Sequence, residues 1–109
     1  MNGSTGAFVP VKHTLSLNSH VKIPADVLAH NLQGETVILN LTTGVYWGLD
    51  PVGTRVWQLL QEQTRVDAIL EAMQAEYDAA EAKLRQDLLD LLARLMENGL
   101  VEVSGDAVA

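Results

Sequence analysis

His13, His20 and His30 are the only imidazoles in a chain that has no cysteine. A metal site on one helix face needs ligands three or four residues apart, and no pair of these histidines has that spacing. They read as structural or surface residues. Glu71 with Glu76 and Asp87 with Asp90 fall on predicted helix surfaces, where solvated charge is the ordinary role of a carboxylate. Gly44, Gly48 and Gly53 match neither the Walker nor the dinucleotide fingerprint, and no Lys-Ser or Lys-Thr follows, so they read as turn and packing glycines. Trp47 and Trp57 could form an aromatic pair around a ligand, but each falls on the inward stripe of its own element, which favours core packing. Alternation puts Tyr46 on the opposite face from Trp47, as a contact residue or a cover over the sheet. The lack of any paired nucleophile and base argues against a small hydrolase. Binding chemistry remains, and the stretch from Glu35 to Leu60 offers one form of it, because an exposed strand edge accepts a peptide as an additional strand.

The elements that would present such an edge follow from periodicity. Met1 to Thr14 is rich in Gly, Ser and Thr and reads as a flexible arm. Leu15 to Ile23 alternates weakly until Pro24, and a strand over about 27 to 33 leads to the turn pair Gln33-Gly34. Glu35 to Leu41 alternates with Val37, Leu39 and Leu41 assigned to the buried face and Glu35 and Asn40 to the other. Thr42-Thr43-Gly44 turns the chain into Val45 to Leu49. Asp50 is placed as an N-cap with Pro51 at the first helical position, where its missing N–H costs nothing. Helix one is expected to run to about Gln63, burying Val52, Val56, Leu59 and Leu60 with Trp57 alongside. Thr64 is the expected cap of helix two, with Asp67 three positions on and Val66, Ile69, Leu70 and Met73 as its buried stripe, ending near Tyr77. Helix three spans about Ala80 to Asn98, and Asn98-Gly99 closes it in the left-handed manner. Its apolar set, Leu84, Leu88, Leu89, Leu91, Leu92, Leu95 and Met96, clusters Leu84, Leu88, Leu91 and Leu95 on one side and is widened by Leu89 and Met96, broader than one contact surface needs. Leu100 to Val103 is a short terminal strand, and residues 104–109 a frayed tail.

At 109 residues the chain is read as one domain, with 15–103 as its folded part. Aromatics are only 5% against 48% apolar overall, so the core must be aliphatic. Fourteen acidic against seven basic residues leave a net charge of −7, which repels phosphate backbones and anionic membranes. Without Cys, a secretory signal or an apolar run of membrane-spanning length, the expected setting is the cytoplasm, with no nucleic acid and no membrane as partner. Three helices beside a small antiparallel sheet also suggest a winged helix, and a DNA-binding regulator is the alternative reading. Helix three sets Lys83, Arg85 and Arg94 against Glu81, Asp87, Asp90 and Glu97, an unfavourable balance for meeting a duplex.

The run Leu41-Thr42-Thr43-Gly44-Val45-Tyr46-Trp47-Gly48-Leu49-Asp50, followed by Val52-Gly53, Val56-Trp57 and Leu59-Leu60, resembles the PqqD-like family of leader-recognition domains in pathways of ribosomally made, modified peptides. Tyr77-Asp78, Asp87 with Leu91-Leu92, and Leu95 to Gly99-Leu100-Val101 extend the resemblance over roughly Val27 to Val103. Trp47 departs from it where many relatives have Tyr, and the first 26 residues do not match the shorter members. The resemblance implies an α+β, winged-helix-like fold, a three-stranded antiparallel sheet followed by three helices, working as a non-catalytic protein without cofactor or metal. It also implies that a precursor's leader peptide adds as a strand beside Gly44, Val45, Tyr46, Trp47, Gly48 and Leu49, with Leu84, Asp87, Leu88 and Leu91 forming the helical wall. The free-standing format looks like the split leader-binding proteins of lasso-peptide pathways, whose partner is a separate leader peptidase.

Overall fold

Gln33 and Gly34 both take positive φ, 55° and 91°, the backbone of a two-residue hairpin turn whose twist matches that of the strands it joins. The computed structural model describes residues 15–104, so the expected N-terminal arm, His13 included, and the last five residues lie outside the described residues. The turn joins β2 (Val27–Leu32) to β3 (Glu35–Asn40), after a short β1 (His20–Lys22). β4 (Tyr46–Leu49) pairs with β3 on its other side, giving an antiparallel sheet in the order β2-β3-β4. Three helices follow, α1 (Pro51–Leu60), α2 (Val66–Glu76) and α3 (Glu81–Glu97), and then β5 (Glu102–Ser104). β5 pairs antiparallel with β1, His20 opposite Ser104 and Lys22 opposite Glu102, so the two ends of the described chain are clipped together. The α+β, winged-helix-like architecture is the one expected.

One face of the sheet is inverted relative to expectation. Val37 and Leu41 are exposed and Leu39 half-buried, while Thr36, Ile38 and Asn40 point inward, with Ile38 fully buried. Val37, Ile38 and Leu39 are consecutive, so either register satisfies an alternating pattern, and a one-residue slip exchanges the faces. The polar inner residues decide the matter because they find partners: the Asn40 amide is hydrogen-bonded at both its ends. A satisfied amide tolerates a burial that would otherwise be costly. The other face of the sheet therefore carries Leu28, Leu32, Val37 and Tyr46 in the open.

The core lies between the inner sheet face and the helices. Ile38 and Leu49 meet Val56, Trp57, Leu59 and Leu60 of α1, Ile69, Leu70 and Met73 of α2, and Leu84, Leu88, Leu92 and Leu95 of α3. Each such side chain contributes roughly 1.5–3 kcal/mol relative to exposure. Leu92, rather than the expected Leu91, lies at the centre of the α3 stripe. Helix α1 stops at Leu60, three residues short of the expected end at Gln63.

Helix α2 begins after Arg65 with no side-chain cap, although Thr64 was the expected one. Its first N–H groups are satisfied from outside the helix: Val66 N donates to Ser19 O at 3.1 Å and Asp67 N to Leu17 O at 3.0 Å. The segment before β1 thus replaces the hydroxyl, and Thr64 is free to pair its Oγ1 with His20 Nδ1 at 3.1 Å. For the same reason Leu15 to Ile23 is mostly irregular, its carbonyls serving a helix end instead of a ladder. Arg55 on α1 and Glu76 on α2 form a two-point ion pair at 2.8 and 2.7 Å that ties the two helices. The Arg55 hydrogen bond holds the Glu76 carboxyl below the usual glutamate range.

Candidate functional site

Along β3 the antiparallel ladder assigns Thr36, Ile38 and Asn40 to bond with β4, and Asn40 N donates to Val45 O at 2.9 Å at the start of that run. On β4 the backbone groups of Trp47 and Leu49 therefore turn inward to β3, and those of Tyr46 and Gly48 turn out to an edge that no strand among the described residues pairs. Gly48 adds to this openness, since a Cβ built there would meet nothing within 4 Å.

The strand ends where α1 begins. Asp50 accepts from Gly53 N at 2.7 Å through Oδ1, Pro51 occupies the first turn, and the helix starts directly under the strand end. Gly53 suits that closeness: a Cβ there would lie 3.2 Å from both Asp50 Oδ1 and Leu49 Cδ2, tighter than ordinary contact. Val52, expected on the buried stripe, is exposed instead and faces the adjoining space.

That space is an open groove of about 440 Å³ between β4 and α3. Trp47, Gly48 and Leu49 form its strand wall, Asp50, Val52 and Gly53 its end at the α1 start, and Asp87, Asp90, Leu91 and Arg94 its helix wall. The helix-wall residues are spaced by three and four, one flank of α3, while Leu84, Leu88, Leu92 and Leu95 occupy the buried flank. Of the ten residues expected at the site, Trp47, Gly48, Leu49, Asp87 and Leu91 line the groove. Gly44 and Val45 belong to the loop that enters β4, Tyr46 is 72% exposed on the outer sheet face, and Leu84 and Leu88 are buried in the core.

Sequence reasoning did not single out Asp50, Val52, Gly53 or Asp90 as site residues, and it named Arg94 only in the charge balance of helix three. The available signal was the three-and-four spacing of Asp87, Asp90, Leu91 and Arg94, which becomes a groove wall only once the direction of the leucine stripe is known. The carboxylates of the groove are engaged within the chain. Asp87 pairs with Lys83 at 2.9 Å, and Asp90 accepts from Gln86 Nε2 at 2.9 Å. Arg94 forms no ion pair among the described residues and is the one cation lining the groove. Such a surface suits an extended peptide: backbone bonds from Tyr46 and Gly48, apolar contact from Trp47, Val52 and Leu91, and polar groups along the rim. Among the described residues no group of three or more His, Asp or Glu is arranged to hold a metal, and no helix is long and apolar enough to cross a membrane.

Comparison with known proteins bears on this groove directly. The family described as coenzyme PQQ synthesis protein D (PqqD) matches residues 35–101, which include β3, β4, all three helices and every residue of the groove. No curated protein matches the chain. Among solved structures, TbiB1 in complex with the TbiA(beta) leader peptide is similar at 40% identity and a TM-score of 0.71, covering 79% of this chain and 98% of that one.

Proposed function

Since the chain belongs to the PqqD family, we propose that it binds the leader segment of a ribosomally synthesised precursor peptide as a fourth strand on the free edge of β4, in the groove against α3. The observation that carries the reading is the coincidence of a strand edge left unpaired among the described residues with a side-chain groove alongside it. Tyr46 and Gly48 supply backbone bonds that do not depend on the peptide's sequence, and Trp47, Val52 and Leu91 read its inward-pointing side chains. The 40% identity with TbiB1, solved with a leader peptide, supports the same ligand class.

In this reading the chain is a binding protein and not an enzyme, and it needs no cofactor. It works in the cytoplasm, where it hands the bound precursor to a separate leader peptidase of a lasso-peptide pathway. An added strand covers one edge and one groove and leaves the rest of the peptide free for that enzyme. Fluorescence polarisation with the labelled leader of the precursor encoded beside this chain's gene is expected to give saturable 1:1 binding, unaffected by a scrambled competitor. Absence of saturable binding by the folded protein would overturn the reading. Delivery is tested separately: the peptidase encoded in the same neighbourhood should cleave the precursor faster when the chain is present. An unchanged cleavage rate removes the delivery step while leaving binding intact.

A further inference from the structure

Asn40 lies at the end of β3 with 6% of its surface exposed, on the face where alternation alone would have put an apolar side chain. Its Oδ1 accepts from Thr42 N at 2.8 Å and from Thr43 N at 3.0 Å. Its backbone carbonyl accepts from Gly44 N at 2.8 Å, and its own N–H donates to Val45 O at 2.9 Å. This one residue therefore dictates the loop from which β4 departs. Its remaining polar group reaches away from the hairpin, with Nδ2 donating to Gly99 O at 2.8 Å.

Gly99 is the residue that ends α3. It takes φ of 73°, with Gly99 N bonded to Met96 O and Leu100 N to Leu95 O, so the helix closes in a left-handed cap that leaves the Gly99 carbonyl available. Among the described residues, the Asn40–Gly99 bond is the only hydrogen bond joining the β3–β4 hairpin to α3 and its cap. The buried side chains that these elements share in the core, Ile38 and Leu49 with Leu88, Leu92 and Leu95, are apolar, and apolar packing is not directional. The two elements so joined are the two walls of the peptide groove: Trp47 follows Asn40 along the hairpin, and Arg94 precedes Gly99 on the helix.

We propose that Asn40 is a positioning residue for the groove, which sets the separation of the strand wall from the helix wall and holds it open to the width of an added strand. The inference rests on the leader-binding reading above and goes beyond it in naming what preorganises the site. A groove already at its bound width loses less freedom when the peptide enters, so the bond acts on affinity without touching the ligand.

The substitution Asn40→Asp separates this role from plain stability. It keeps the acceptors for Thr42 and Thr43 but replaces the donor to Gly99 with an oxygen that repels its carbonyl. Met73→Ala, in the core on α2 and outside the groove, serves as a destabilised comparison. Both are assayed well below their melting temperatures against the labelled leader named above. Asn40→Asp is expected to weaken binding about tenfold, chiefly through faster dissociation, whereas Met73→Ala binds like the unaltered chain. In a Trp57→Phe background, acrylamide quenching of Trp47 is also expected to rise on Asn40→Asp and not on Met73→Ala. The inference is overturned if folded Asn40→Asp binds with unaltered affinity, or if Met73→Ala loses as much. Failure of the unaltered chain to bind leader would instead overturn the functional reading on which it rests.

Discussion

Among the described residues, strand β2 pairs no strand on its outer edge over Val27–Leu32, six residues, and β4 none on its own over Tyr46–Leu49, four. By backbone criteria the longer edge is the better template for another strand. Yet among the described residues no groove joins the outer edge of β2 to a helix, and Ala29 and Asn31, whose backbone groups turn outward there, are exposed. β4 has α3 across a groove, with Leu91 and Val52 beside its backbone. Free backbone groups provide adhesion without selection, and in the proposed reading it is the side-chain wall that makes one edge of the same sheet selective.

The most severe way to break this comparison is to remove one outward donor from each edge. Gly48→Pro deletes an N–H that the β3–β4 ladder does not use, and leader affinity should fall at least about tenfold by polarisation. Ala29→Pro makes the equivalent deletion on β2 and should leave affinity unchanged; equal losses would mean that the two edges are not distinguished by function. A smaller effect tests the wall. Leu91→Ala removes half-buried apolar surface from the groove and should weaken binding about fivefold, while Leu32→Ala at the end of β2 should have no effect on the titration. Arg94→Gln removes the groove's only cation. If the leader places a carboxylate there, the salt dependence of binding should flatten, with an affinity change within about threefold.

The smallest effect sharpens the comparison from outside the groove. Glu76 is held by Arg55 below the ordinary glutamate range, so its contribution to stability is present above that range and is lost as pH falls through the lowered value. Thermal melts of Glu76→Gln and of the unaltered chain should therefore differ slightly at neutral pH and converge in acid. Leader affinity near neutrality should be the same for both, because neither Arg55 nor Glu76 lines the groove.

Much of the architecture was legible because local chemistry demanded it. Gln33-Gly34 admits few backbones other than a tight hairpin, Asp50-Pro51 starts a helix wherever it follows a strand, and Asn98-Gly99 ends one. The strand wall of the groove was legible too, since Trp47, Gly48 and Leu49 stand on a short, well-bounded β4. The helix wall was less so. Leu84, Leu88 and Leu91 have similar spacing and hydrophobicity, and only packing against α2 and the sheet turns Leu88 and Leu92 inward and Leu91 toward the groove.

By itself the sequence determined element type, order and turns, because these depend on period, on glycine at positive φ and on proline, all of which act within a few residues. The tertiary structure alone decided which face of β3 is buried, which carbonyls cap α2, and which flank of α3 meets β4. Each of those choices depends on whether a polar group such as the Asn40 amide finds a partner across the fold, 59 positions along the chain at Gly99. A period cannot encode a partner that far away.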